Sequence, residues 1–86
     1  EEFTKANINK WAPHVNLHFE FTDAADGDIR IAADNDISGG HSYLGTRSLY
    51  VPPDKPTMVI GLKGGPNAYN AGTIQHEFGH VLGLLL

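Results

Sequence analysis

The chain has 86 residues, 6 Lys and Arg against 10 Asp and Glu for a formal charge of -4, and 41% hydrophobic residues. That suits one small domain with a modest core and excludes a second domain; the scattered basic residues form no stripe for nucleic acid or an anionic membrane. With no cysteine, disulfides and thiolate metal sites are excluded, and any metal must be held by His and carboxylates.

In chain order, residues 1–11 predict a short amphipathic helix, since Phe3, Ala6, Ile8 and Trp11 are helically spaced and Pro13 forces an end. Residues 15–21 (VNLHFEF) alternate apolar and polar, the period of a half-buried strand. A turn over residues 23–28 leads to a second alternating run through Ile29, Ile31 and Ala33. Residues 34–40 read as a loop, and residues 41–50 (HSYLGTRSLY) as an irregular or edge strand. Residues 57–62 (TMVIGL), bounded by prolines and by Gly64-Gly65-Pro66, predict a buried central strand. The longest apolar stretch, near the end, is far below the ~20 residues that span a bilayer, and no charged n-region with an apolar h-region opens the sequence, so a signal peptide is expected to be either absent or already removed.

The last element, residues 72–86, holds His76-Glu77-Phe78-Gly79-His80, a match to H-E-x-x-H. At about 100° per residue, positions 76, 77 and 80 share one face, while Ile74, Phe78, Val81, Leu82 and Leu85 share the other. The helix is expected to bury the apolar stripe and turn both imidazoles and the carboxylate outward. Histidines at i and i+4 can bind one Zn²⁺, and the adjacent Glu can reach a metal-activated water without ligating the metal. Two solvated histidines are the bland alternative; the opposed apolar face favours the metal site. His14 and His18 read as exposed, and His41 as the best local substitute ligand. Asp23, Asp26, Asp28, Asp34 and Asp36 could offer oxygens to Ca²⁺ but lack EF-hand spacing, so they read as solvated turns.

Residues 73–83 (TIQHEFGHVLG) resemble the active-site helix of the metzincin zinc endopeptidases, with the astacin family nearest. Residues 39–45 (GGHSYLG) resemble that family's substrate-side edge, and residues 28–31 (DIRI) an earlier strand. The resemblance implies an α+β, zincin-like N-terminal subdomain spanning 1–86, with a twisted, mixed, mostly parallel sheet, a backing helix and a C-terminal active-site helix. It implies zinc ligands His76 and His80, general base Glu77, a turn at Gly83, a polypeptide substrate added as a strand to an antiparallel edge, and a secreted protein. The family's third-ligand position falls at Leu86, which cannot bind zinc. A truncated protease, a degenerate or engineered fragment, and a mini-enzyme with another third ligand are the three explanations; the terminal leucines favour the first. The expected function is zinc-dependent peptide-bond hydrolysis, with weak zinc binding and little activity in this form. The alternative is a non-catalytic peptide-binding module.

Overall fold

A computed structural model describes residues 2–23 and 26–84. Helix α1 (Glu2–Asn9) buries Thr4, Asn7 and Ile8 and holds itself with Asn7 Nδ2 donating to the Phe3 carbonyl at 2.9 Å. It stops two residues short of the expected end, and a 3₁₀ turn over Ala12–His14 carries Pro13, which cannot continue an α-helix.

Residues 15–21 correct an expectation: they form no strand ladder. Their alternation survives only in part, with Val15 and Phe19 half-buried while Leu17 is 61% exposed. The cause is distance from a partner. A cleft of ≈ 750 Å³ lined by residues 18–23 and 27–31 lies where a ladder to the next segment would have to form. Phe19 instead reaches the core by setting its ring edge-on to Phe78, 5.2 Å between centroids.

Three strands make a small mixed sheet: β1 (Ile31–Asp34), β2 (Gly40–Ser42) and β3 (Met58–Gly61), in the order β1-β3-β2. β3 pairs parallel with β1, Ile31 opposite Met58, and antiparallel with β2, Gly40 opposite Ile60. The apolar run is thus interior as expected, with Met58 and Ile60 fully buried and Val59 half-buried on the other face. The expected edge over 41–50 shrinks to β2. Past one more bond, Tyr43 N–H to the Thr57 carbonyl at 3.1 Å, a 3₁₀ helix occupies Gly45–Tyr50. Tyr43, Leu49 and Tyr50 are all exposed, so this stretch has no apolar face to seat on a sheet.

Helix α2 (Ala68–Val81) starts four residues before the expected position. Asn67 caps it by accepting from the Asn70 N–H at 2.8 Å. The fully buried Asn70 side chain donates back to the carbonyls of Lys63 (3.2 Å) and Gly65 (2.6 Å), which fixes the connection from β3. The helix ends at Val81 rather than 85 or 86; Leu85 and Leu86, with their expected burial and third-ligand position, lie outside the described residues, as does Glu1. The core comprises Ile8, Met58, Ile60, Ile74, Phe78 and Val81. α1 is fastened to α2 by polar contacts as well: Trp11 Nε1–H donates to the Gln75 carbonyl and Gln75 Nε2 to Asn7 Oδ1, both at 2.9 Å. Among the described residues no helix is long and apolar enough to cross a membrane.

Candidate metal centre

His76 and His80 sit one turn apart on α2, with their Nε2 atoms 3.2 Å apart and ring planes at 90°. A tetrahedral zinc with Zn–N bonds of 2.0–2.1 Å separates two ligand nitrogens by about 3.3–3.4 Å. The pair therefore stands at chelating distance, and its donor set suits zinc. His76 is exposed and His80 half-buried. His80 Nδ1 donates to the Leu84 carbonyl at 2.9 Å, the kind of outer hydrogen bond that orients a ligating imidazole.

Glu77 departs from the expected outward face. It is only 8% exposed, because β2 lies across it. At Gly40 a Cβ would meet the Val59 carbonyl oxygen at 2.5 Å and Glu77 Cγ at 3.3 Å, so only glycine lets the edge strand close on both the sheet and the carboxylate-bearing side chain. Ser42 Oγ–H donates to the Glu77 carbonyl at 3.1 Å and joins the same strand to the helix backbone. A cleft of ≈ 560 Å³ opens between helix and strand, lined by His76 and Glu77 together with Tyr69, Gly72, Thr73, Gly39 and Gly40. His80 is beside His76 but outside that lining. The larger cleft next to residues 18–23 contains neither of the paired histidines.

His14 and His18 are exposed, as is His41 on β2. Among the described residues no group of three metal-capable side chains forms, so His41 is not brought to the pair. Asp23, Asp26 and Asp28 are exposed, and Asp34 Oδ1 accepts from the Asp36 N–H at 2.9 Å in a local turn. Gly40 and Ser42 fall within the stretch 39–45 that resembles the family's substrate-side edge, but their contacts with Glu77, and that of the Leu84 carbonyl with His80, were not foreseen. The Gly39-Gly40 pair opening an edge strand was a signal of close backbone approach; the other two left none.

No known protein family's model matches the chain, and no curated protein matches it. Solved structures do. The chain superposes on "Structure of myroilysin" with a TM-score of 0.84 and 30% identity, covering 98% of this chain and 41% of that one. On "Crystal structure of myroilysin" the TM-score is 0.80 and the identity 27%, covering 99% of this chain and 39% of that one. The chain thus spans about two fifths of the length of either relative. Small mixed sheet, backing helix and long C-terminal helix together make this an α+β, zincin-like subdomain with a metzincin-like fold.

Proposed function

We propose that the chain is the upper, metal-holding subdomain of a secreted zinc metalloendopeptidase, with His76 and His80 as zinc ligands and Glu77 as general base. The observation that carries this reading is the 3.2 Å separation of the two Nε2 atoms on one helix face. The likeness to the solved structures of myroilysin, at 30% identity with a TM-score of 0.84 for the first, supports it. Zinc supplies a Lewis acid and lowers the pKa of a water to about 7. Glu77, held at the cleft wall by β2, takes the proton from the attacking water and delivers it to the leaving amine. β2 pairs with β3 along one side and is last in the sheet order, so an extended polypeptide adds along its other side with its scissile carbonyl toward His76. Ser42 and Gly40 keep that strand and the carboxylate in fixed relation.

Zinc titration followed by melting temperature tests the site, because a ligand that binds only the native state stabilises it by RT ln(1 + [L]/Kd). The expected result is a small stabilisation that disappears in His76→Ala and His80→Ala and grows in Leu86→His. Stabilisation that persists without both histidines overturns the assignment. Hydrolysis of a denatured protein is expected to be slight in the 86-residue chain. Any turnover gained in Leu86→His is expected to be blocked by chelator and lost in Glu77→Ala with zinc binding retained. Peptide capture without hydrolysis in every zinc-loaded form identifies a binding module instead.

A further inference from the structure

The exposed face of α2 carries one residue that packing does not explain. Gly72 sits in the helix interior, where glycine is the weakest helix former after proline. Its backbone is not left-handed, and a Cβ added there would meet nothing within 4 Å. Neither conformation nor close approach calls for glycine, so what the missing side chain leaves is open space. That space belongs to the cleft between α2 and β2. Three residues earlier, on the same face, stands Tyr69, a large ring left 65% exposed at the cleft. Thr73, between Tyr69 and His76, has its hydroxyl tied to the helix itself, Oγ1–H donating to the Tyr69 carbonyl at 3.2 Å. Gly39, Gly40 and Ala68 complete the lining, so beyond His76 and Glu77 the cleft carries no ionisable group but the phenol of Tyr69.

We propose that Tyr69, across the gap left by Gly72, selects an aromatic or large apolar side chain of the polypeptide substrate, about three residues from the scissile carbonyl. The proposal rests on the zinc reading above and adds a substrate class to it. The distance comes from two rises. From His76 back to Tyr69 the helix covers about 10.5 Å at ~1.5 Å per residue, and a strand lying beside it covers the same length in about three residues at ~3.3 Å each. The Tyr69 ring offers edge-on or offset pairing to another ring. A charged side chain at the same place finds no counter-charge in exchange for the water it gives up. Because successive side chains of a strand point to opposite faces, the second substrate residue turns away from the ring that the third one meets.

Blocked alanine peptides with a zinc-chelating hydroxamate at one end or the other, and a single Phe at the second or third residue from it, test this on the 86-residue chain in excess zinc. The two series cover both chain directions. Titration followed by NMR reads the dissociation constant and the Tyr69 ring signals together. In one series, Phe at the third residue is expected to bind about 2- to 10-fold tighter than Ala there and to shift the Tyr69 ring signals, whereas Phe at the second residue or Asp at the third gains nothing. Tyr69→Ala is expected to lose that gain and Tyr69→Phe to keep it. Gly72→Gln, a better helix former that fills the gap, is expected to raise the melting temperature while losing the gain, a pairing that a merely structural glycine would not produce. An equal gain at the second residue, or a gain that survives in Tyr69→Ala or Gly72→Gln, overturns the proposal. Hydroxamates that bind no tighter than the matching carboxamides overturn the metalloprotease reading instead; tighter hydroxamate binding with no preference for Phe at the third residue overturns this inference alone.

Discussion

Strand β3 and residues 15–21 both deliver apolar side chains to the core around Phe78, on different terms. β3 is bonded along both sides, to β1 and to β2. Its peptide groups are satisfied before any side chain is counted, so Met58 and Ile60 can be fully withdrawn from water. Residues 15–21 have the cleaner alternation yet no ladder, and one ring, Phe19, makes the edge-on contact with Phe78. Alternation states which side chains would face inward if a segment were seated in a sheet. Whether it is seated depends on an open sheet edge within hydrogen-bonding distance, which no single segment encodes.

The largest expected effect lies in β3. Ile60→Ala should lose about 2–5 kcal/mol, a large part of what a domain of this size has, read as a lowered midpoint in urea or guanidinium unfolding. A loss below about 1 kcal/mol would break the contrast, because it would mean the central strand is no better anchored than its neighbour. The connection out of β3 comes next. Asn70→Ala should cost about 1–3 kcal/mol, since it leaves the Lys63 and Gly65 carbonyls without their amide donor. In residues 15–21 the effects shrink: Phe19→Ala should lose the ~0.5–1.5 kcal/mol of the ring pair together with its half-buried area, whereas Leu17→Ser should stay within about 0.5 kcal/mol. Native-state hydrogen exchange sharpens the same comparison without mutation. Amides of 58–61 are expected to open only with global unfolding and those of 15–21 far sooner; equal protection would show that residues 15–21 are seated after all.

The parts of the fold legible beforehand were those written by local pattern. The opposed faces of α2, the interior run at 58–61 and the His76/His80 pair all follow from spacing within one segment. The start of α2 at Ala68 was hidden because Tyr69-Asn70-Ala71-Gly72 has loop composition; the Asn67 cap and the buried Asn70 side chain override it. Glu77 was expected to face outward and to line a cleft with the histidines; it lines one with His76, but its burial was hidden because it comes from Gly40 and Ser42, thirty-odd residues away, closing over it. The hydrogen bond from His80 to the Leu84 carbonyl was equally invisible: it depends on backbone direction after the helix, not on the identity of residue 84.

Trp11 is the chain's single tryptophan, and its indole N–H rests on the carbonyl of Gln75, the residue directly before His76. The molecule therefore contains its own fluorophore at the seam between the first helix and the one that carries His76 and His80. Indole emission shifts to the red as water reaches the ring, so the colour of one side chain reports the docking of α1 with no label attached. Because the acceptor belongs to the same helix turn as His76, that signal distinguishes a helix rearranged by an added ion from one that stays in place.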